Sequence, residues 1–201
     1  PGKKPVTDVE LDYSNPLTKN LLYYFVWQDG LPFDLVTKRW VGLTTASIAL
    51  KHNRDGAYID HSGRAQAESS YSPFSDIGTG NLTVFSKFRQ PSTARETLLC
   101  SRVGSNSNHV EIRLNSDAGG GATVDGIGLL VSGSTIQGLG ATNVINGEWQ
   151  TVTGIRQDTD LSIYVDGISK ASTTILNQSL NASPIFVFGG LPNTATINYT
   201  G

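Results

Sequence analysis

Residues 146–172, NGEWQTVTGIRQDTDLSIYVDGISKAS, carry the most regular pattern of this chain. Trp149 opens one strand-like run, and Leu161, Ile163 and Val165 alternate with polar residues in the next. A period of two residues is typical of a β-strand with one face against a core and the other toward solvent. The pattern therefore predicts two neighbouring strands, with the three aliphatic side chains in the core.

The polar residues of this stretch predict how its strands are connected. Four polar residues, Gln157–Asp160, stand between the first two strands, and we expect their two Asp side chains to accept hydrogen bonds from nearby backbone N–H groups. Asp166-Gly167 is the pair typical of a two-residue type I′ turn, which a third strand at 168–175 would follow. A role in turns therefore explains Asp158, Asp160 and Asp166, which could otherwise be taken for catalytic residues.

The rest of the chain favours an all-β fold. Charged residues make up only 16% of the 201 residues and 22 residues are Gly, a composition that suits short strands joined by tight turns. The apolar run at 21–35 is interpreted as a strand buried on both faces and closed by a turn. Further strands are predicted at 39–45, 57–62, 82–90, 96–103, 109–116, 124–133 and 141–147. Their spacing indicates an antiparallel β-sandwich in a single domain.

Charge and cysteine content exclude several classes of function. Fifteen basic and seventeen acidic residues leave a net charge of −2, so no cationic field is present to bind nucleic acid or an anionic membrane. No apolar run approaches the roughly 20 residues of a membrane span. Cys100 is the single cysteine and lies in an apolar run, where we expect a buried, inert thiol. The fold must therefore be stabilised by its core alone.

Two sequence motifs resemble a known family. The order Asn-Gly-x-Trp-x-x-Val at 146–152, followed by Leu-x-Ile-Tyr-Val-Asp-Gly at 161–167, resembles the signature of concanavalin A-like, laminin-G-like jelly-roll domains. The resemblance implies a jelly-roll sandwich of the concanavalin A-like lectin/glucanase type over residues 17–201. The family's pattern adds one more strand after NYTG, so an open sheet edge is expected, and a homo-oligomer is one way to cover it. Other segments similar to strands of the family are NLTVFSKF (81–88), TLLCSR (97–102) and SPIFVFGG (183–190).

The start of the chain suggests where the domain is used. Residues 1–16 are bracketed by prolines and show no helical pattern, which predicts an extended N-terminal arm. The opening as far as FDLVTKR (33–39) resembles laminin-G-like proteins of tailed bacteriophages, which are found on virion surfaces. This resemblance implies a non-enzymatic virion surface protein of a capsid, tail or fibre. The arm would bind capsid or tail proteins, and the lectin-like domain would stabilise the particle or adhere to the host surface.

The alternative function is an extracellular carbohydrate-binding module of a larger bacterial enzyme or adhesin, which would bind cell-surface glycans. Such binding needs an exposed aromatic side chain on a polar surface. Trp27 and Trp149 lie in apolar runs and are expected in the core. Trp40, between Arg39 and Val41, is therefore the candidate ligand-binding residue.

A third hypothesis, a glucanase, ranks last. Retaining glucanases need two carboxylates about 5–5.5 Å apart. Asp8, Glu10 and Asp12 alternate as such acids do, but they belong to the arm. Glu111 lies in a predicted strand, yet Arg113 stands at the next position on the same face, so its acid partner would have to come from a neighbouring strand. No catalytic residue is predicted.

The sequence predicts no metal ion and no cofactor. Relatives in the laminin-G family often hold Ca²⁺ through loop carboxylates, and Asp158 and Asp160 could act in this way, but a turn-stabilising role is preferred. The three histidines lack the spacing of metal ligands and are expected at the surface or in turns; they are His52, His61 and His109.

Overall fold

The computed structural model describes residues 11–15, 21, 23–28, 31–40, 43–46, 49–53, 56–60, 67–69, 77–91, 93, 95–103, 107–117, 122–133, 136–180 and 186–188. Their strands are β1 (Phe25–Gln28), β2 (Leu31–Asp34), β3 (Arg39–Trp40), β4 (Leu43–Ala46), β5 (Ala49–Asn53), β6 (Gly56–Asp60), β7 (Ala67–Ser69), β8 (Leu82–Arg89), β9 (Glu96–Val103), β10 (Ser107–Ser116), β11 (Ala122–Ser132), β12 (Ile136–Ala141), β13 (Trp149–Gln157), β14 (Asp160–Val165), β15 (Ile168–Thr174) and β16 (Phe186–Phe188). The described residues form no helix, which confirms the all-β class. In particular, they include no helix long and apolar enough to cross a membrane.

Two antiparallel sheets form the sandwich. The larger sheet has seven strands in the order β12-β11-β10-β9-β16-β7-β4, and the smaller has four in the order β15-β14-β13-β8. Strands β1 to β3 form a separate three-stranded sheet, and β5 pairs with β6. The jelly-roll sandwich predicted from the sequence is confirmed.

The core lies between the two sheets and follows from alternation along their strands. Leu161, Ile163 and Val165 of β14 are at most 2% exposed, as their spacing predicts. A Cβ added at Gly154 of β13 would lie 2.9 Å from Cδ1 of Leu129 on β11, so the two sheets approach closely at this point. The other buried members of the core are Val84, Phe88, Leu99, Val110, Ile112, Leu114, Ile127, Val131, Leu139, Ala141, Ile145, Val152, Ile175 and Leu180.

The hairpin between β14 and β15 has the turn that its sequence predicts. Asp166 and Gly167 both take positive φ angles, 50° and 76°, and Val165 pairs with Ile168 across the turn. Both values are those that a type I′ turn requires.

The hairpin between β13 and β14 differs from the prediction. Gln157 pairs with Asp160 as strand residues, so the connection is the two residues Asp158 and Thr159. The predicted hydrogen bonds from nearby backbone N–H groups to the two Asp side chains are not formed in the described part of the chain. The N–H of Asp158 instead donates to Oδ1 of Asn81 at 2.7 Å, and Oδ1 of Asp160 accepts from the Thr174 hydroxyl at 3.2 Å. Asp158 contributes a φ of 52°, a conformation that Asp tolerates better than most residues.

Two strand predictions are wrong. Residues 142–148 are a loop rather than part of a strand, because Asn143 and Gly147 take positive φ angles of 56° and 79° that break an extended chain. The strand of this region is β12, which ends at Ala141. The run 21–35 is not buried on both faces: it contains β1 and β2, and Tyr24 is 43% exposed while Phe25 is half-buried.

A buried arginine closes one end of the sandwich. Arg156 of β13 points inward and is 1% exposed. Its guanidinium donates to the carbonyls of Gly78 (Nη2, 3.0 Å), Gly80 (Nε, 3.1 Å, and Nη2) and Gln178 (Nη1, 3.2 Å). Burial lowers the pKa of Arg156 from its ordinary value. The side chain therefore joins the segments that enter β8 and follow β15.

Candidate functional site

The outer face of the four-stranded sheet presents an aromatic and cationic surface. Side chains that alternate with the core residues of β8, β13 and β14 point away from the core. We call them the outer face; they are Thr83, Phe85, Lys87, Arg89, Trp149, Thr151, Thr153, Ile155, Ser162 and Tyr164.

Phe85 is the most exposed apolar side chain of the outer face. It is 58% exposed, although the side chains next to it on the same strand, Val84 and Ser86, turn inward. It pairs with Thr153, which pairs in turn with the half-buried Tyr164. Phe85 and Tyr164 therefore lie two strands apart, about 10 Å, with a threonine hydroxyl between them. This row offers flat apolar surface and a hydrogen-bonding group together.

Trp149 lies on the outer face, so the expectation that it belongs to the core is wrong. The reason is parity: Gln150 and Val152 of the same strand point inward, and Trp149 must point outward. Lys87 places its Nζ over the indole ring, 5.6 Å from the ring centroid. This cation–π contact holds the ammonium group over Trp149.

Arg89 is the second cation of this surface, directly opposite Trp149 in the sheet register. Its Nε donates to the carbonyl of Gly147 at 3.0 Å. The loop that carries Gly147 is itself fixed, because the N–H of Glu148 donates to Oδ1 of Asn146 and the N–H of Asn146 donates to Oε1 of Gln150. Arg89 is therefore anchored at Nε, and within the described ranges its two Nη groups form no hydrogen bond.

Asp166 lies at the boundary between the outer face and the core. Its Oδ1 accepts from the N–H and the hydroxyl of Thr151, at 2.7 and 3.2 Å, and its Oδ2 accepts from Nε2 of Gln150 at 3.5 Å. The backbone hydrogen bond from Thr151 is the main reason that the pKa of Asp166 is lowered, with smaller contributions from the side chains of Gln150, Thr151 and Lys170. The carboxylate thus holds the ends of β13 and β14 together.

Trp40, the ligand-binding residue predicted from the sequence, lies in the three-stranded sheet. It is 51% exposed and contacts Phe33 on the paired strand, with ring centroids 5.0 Å apart. The hairpin is held by the buried Asp34, whose Oδ1 accepts from the N–H of Tyr24 and of Val36. Trp40 is thus at the surface, as expected, in a different sheet from Phe85.

Glu111 does not have the surroundings of a glucanase acid. It is completely buried, its Oε1 accepts from Nε of Arg113 at 2.5 Å and from the Thr97 hydroxyl at 2.9 Å, and Nη2 of Arg113 reaches Oε2 at 2.8 Å. Its neighbours across the sheet are Cys100 and Leu130, so the cross-strand acid that the glucanase hypothesis required is not there. Cys100 itself is buried, as predicted.

Among the described residues, no group of three His, Cys, Asp or Glu could hold a metal ion. The side chains of His52, His61 and His109 and the side chain of Trp27 lie outside what the structure describes.

Sequence reasoning missed Phe85, Lys87 and Arg89 as site residues. The alternation in LTVFSKFR was the available signal. Phe85, Lys87 and Arg89 share one face of the strand, and Val84 and Phe88 lie on the opposite face, toward the core.

Comparison with known proteins identifies the family. A family model of laminin G type, described as the concanavalin A-like lectin/glucanases superfamily, matches residues 62–200, and the chain belongs to this superfamily. No curated protein sequence matches the chain.

Solved structures with the same fold share little sequence with this chain. The botulinum neurotoxin serotype D/C binding domain is 11% identical with a TM-score of 0.61, over 89% of this chain and 45% of that one. A structure of botulinum neurotoxin type C, whose cell entry depends on interaction with two ganglioside molecules, is 9% identical with a TM-score of 0.55, over 84% of this chain and 42% of that one. Domains LG4-5 of the mouse laminin alpha1 chain are 17% identical with a TM-score of 0.49, over 63% and 34%. This chain spans less than half the length of each of these structures, and the likeness concerns the fold.

Proposed function

We propose that this domain is a non-enzymatic carbohydrate-binding module that binds glycan on the outer face of its four-stranded sheet. The observation that carries the proposal is the exposed ring of Phe85, which lies in a row of hydroxyl side chains on the same face as Lys87 and Arg89. An isolated apolar ring in this setting has no role in the core, which lies on the opposite side of the same strand.

The chemistry of this face suits a sugar. Saccharides present an apolar C–H surface together with hydroxyl groups, and a site for them combines aromatic surface with a few placed polar groups. Phe85 supplies the apolar surface, and Thr153 and Tyr164 in the same row supply hydroxyls that can donate and accept. Thr151 and Ser162 extend the polar surface along β13 and β14.

Superfamily membership agrees with this role without proving it. The superfamily includes both lectins and glucanases. Interaction with gangliosides is a property of the type C neurotoxin, and the proposal for this chain rests on its own outer face. An extracellular or surface location follows from the proposal, because glycans of cell surfaces would be the ligands.

The test is binding of the domain to an immobilised glycan array, comparing the unaltered chain with Phe85→Ala. The matched control is Val124→Ala, since Val124 is 57% exposed but lies on β11 of the other sheet. We expect Phe85→Ala to lose binding by roughly tenfold or more, in line with the contribution of one stacked aromatic ring, and Val124→Ala to bind as the unaltered chain does. If no glycan binds, or if both variants bind unchanged, the proposal is wrong.

Trp40 offers a second candidate contact for the same function. It is slightly less exposed than Phe85, 51% against 58%, and lies against another aromatic ring, Phe33. The variant Trp40→Ala in the same array assigns the site: loss of binding in Trp40→Ala with retention in Phe85→Ala would move the glycan site to the β2–β3 hairpin.

We also propose, from the resemblance of the opening residues to phage proteins, that the domain is carried on a virion and is attached through residues 1–16. Most of this arm lies outside the described residues. Of the part that is described, residues 11–15 form an exposed turn in which Oδ1 of Asp12 accepts from the N–H and hydroxyl of Ser14, and Tyr13 is 63% exposed. The remaining residues, 17–201, would be the laminin-G-like domain.

Deleting residues 1–16 tests the attachment. We expect the shortened chain to lose association with purified particles and to keep its glycan binding. Full particle association by the shortened chain would refute the role of the arm, and finding the unaltered chain absent from particles would refute the virion location.

A further inference from the structure

We infer that the glycan bound by the outer face is anionic, and that Arg89 and Lys87 recognise its carboxylate or sulfate groups. The inference rests on the proposed glycan-binding function and names the class of ligand for the same surface.

Arg89 is arranged as a receptor for a two-oxygen anion. Its Nε is occupied by the carbonyl of Gly147, and this hydrogen bond fixes the orientation of the guanidinium plane. The edge formed by Nη1 and Nη2 has no partner in the described part of the chain, and it presents two parallel N–H donors. Carboxylate and sulfate groups match that spacing in a bidentate contact, which is the strong form of a charge-assisted hydrogen bond.

Lys87 places a second positive charge on the same edge of the sheet. It precedes Arg89 by two residues on the outward side of β8, and its ammonium group lies over the ring of Trp149. An ammonium group over a ring directs part of its N–H donors away from the ring, where an anion can accept from them. Because Lys87 and Arg89 both flank Trp149, their charges act at neighbouring sugar units or at one substituent.

The charge of this strip is not compensated locally. Within the described ranges, neither Lys87 nor Arg89 forms a salt bridge. Asp166 lies in the same row as Lys87 but beyond Thr151, and its oxygens are engaged by Thr151 and Gln150. Glu148 precedes Trp149 in the chain, and it forms no salt bridge with either cation. The chain as a whole has a net charge of −2, so this cationic strip departs from the average surface. Uncompensated cations beside aromatic rings favour an anionic ligand.

A saccharide fits better than an acidic peptide or a nucleic acid. Lys87 and Arg89 lie on the edge strand β8, but their side chains point to the outer face beside a row of hydroxyl side chains. An added peptide strand would pair with the backbone of β8 and not with these side chains. Two cations on an acidic chain are also too few for the phosphate contacts of a nucleic acid.

The experiment measures binding of the full chain to four polysaccharides by affinity electrophoresis. Polygalacturonate carries carboxylates and its fully methyl-esterified form does not; dextran sulfate carries sulfates and dextran does not. The variants are Arg89→Gln, Arg89→Lys and Lys87→Gln. The control is Lys170→Gln, which removes the same charge from an exposed position of β15.

We expect at least one charged polymer to bind roughly tenfold or more tightly than its uncharged counterpart, since charge-assisted hydrogen bonds are the stronger class. Which polymer binds identifies the anion as carboxylate or sulfate. Arg89→Gln should weaken binding by roughly tenfold, Lys87→Gln by less, and Lys170→Gln should leave it unchanged. Arg89→Lys should restore only part of the affinity, because an ammonium group lacks the bidentate edge. Binding of the charged polymer should also weaken as salt rises.

The outcomes separate this inference from the proposed function. If uncharged glycans bind as well as charged ones, and Arg89→Gln has no effect while Phe85→Ala abolishes binding, the anionic specificity is wrong and the carbohydrate-binding function stands. If no charged or uncharged glycan binds, both are wrong. Equal losses in Arg89→Gln and Lys170→Gln would show a general effect of net charge and would also overturn the inference.

Discussion

The two faces of the four-stranded sheet are built by the same strands and have opposite properties. On the inner face Leu161 and Ile163 have no exposed surface, and their environment is set by the opposing sheet. On the outer face Phe85 is 58% exposed and is opposed by a threonine. Residues on the inner face are constrained by packing, whereas those on the outer face can vary without loss of the fold. The residues of this sheet that are available for a function are therefore those whose side chains point away from the core.

Two arginines make the same contrast in electrostatic terms. Arg156 points inward, is 1% exposed and donates from Nε, Nη1 and Nη2 to backbone carbonyls. Arg89 points outward and, in the described part of the chain, uses only Nε. The guanidinium of Arg156 forms hydrogen bonds that stabilise the fold, and the guanidinium of Arg89 has two Nη groups available for a ligand. Substitutions that separate stability from binding should therefore follow the face on which a residue lies.

The largest effect is expected for Arg156→Met. The change removes the guanidinium donors from the carbonyls of Gly78, Gly80 and Gln178 in a partly buried site. Gly78 keeps the N–H of Leu180 as a donor, and each buried group left unsatisfied costs about 1–3 kcal/mol. Allowing for partial relaxation, the free energy of unfolding should fall by about 3–5 kcal/mol, measured by urea denaturation. Arg89→Met on the outer face should cost less than about 1 kcal/mol. Similar losses in the two variants would contradict the distinction between the arginines.

Leu161→Ala and Phe85→Ala compare apolar residues of the two faces. Leu161 has no exposed surface and packs in the core, so its truncation should lower the free energy of unfolding by about 2–5 kcal/mol. Phe85→Ala should cost less than about 1 kcal/mol, because more than half of its side chain already contacts solvent. Circular dichroism melts of both variants check this prediction. A large loss in Phe85→Ala would mean that the ring is structural and would weaken its assignment to glycan binding.

Local pattern was sufficient to predict the sandwich and the inner face of the four-stranded sheet. The alternation of Leu161, Ile163 and Val165 and the pair Asp166-Gly167 are complete within eight residues, so no distant contact was needed to interpret them. The strand prediction for 141–147 is wrong beyond Ala141, because apolar Val144 and Ile145 stand between residues whose positive φ angles only the structure shows.

The candidate site was predictable only in part. Trp40, next to the charged Arg39, is exposed as expected. Trp149 was misplaced because a large apolar residue was assumed to point inward, although its parity with Val152 already pointed it outward. Parity with Val152 also pointed Arg156 inward, but its partners could not be anticipated, since Gly78 and Gln178 lie 78 and 22 residues away in sequence and meet only in the fold.

Glu96→Gln should stabilise the domain, because it removes a carboxylate charge from the side of β9 that faces the core. Glu96 lies opposite the core residue Leu114 on β10, and its Oε1 is buried without a hydrogen-bond partner in the described part of the chain. Burial raises the pKa of Glu96, which a hydrogen bond with Gln90 partly offsets. The folded state therefore retains the proton above the ordinary pKa, and stability is lost as the pH rises through the raised pKa.

The gain in Glu96→Gln should be on the order of 1 kcal/mol above the raised pKa, where the unaltered side chain is charged, and should vanish below the ordinary pKa of 4.5. Thermal melts across this range measure it. A gain that is independent of pH would show that the buried charge is not the cause.

The smallest effect is expected for Asp166→Asn, at the boundary between the faces. Asn tolerates the positive φ of this turn and keeps an oxygen for the N–H of Thr151, so the variant loses the negative charge and the acceptor for Nε2 of Gln150. Because the pKa of Asp166 is lowered in the fold, its charge stabilises the domain above the ordinary pKa of 3.8, and this contribution is lost as the pH falls through the lowered pKa. The variant should therefore melt slightly below the unaltered chain at pH 7 and together with it at pH 2. Asp158→Asn is the matched control, since the side chain of Asp158 accepts no hydrogen bond within the described ranges and also sits in a turn with positive φ. If the two variants shift the melting temperature equally at pH 7, the charge of Asp166 and its contact with Gln150 do not stabilise the junction of the two faces.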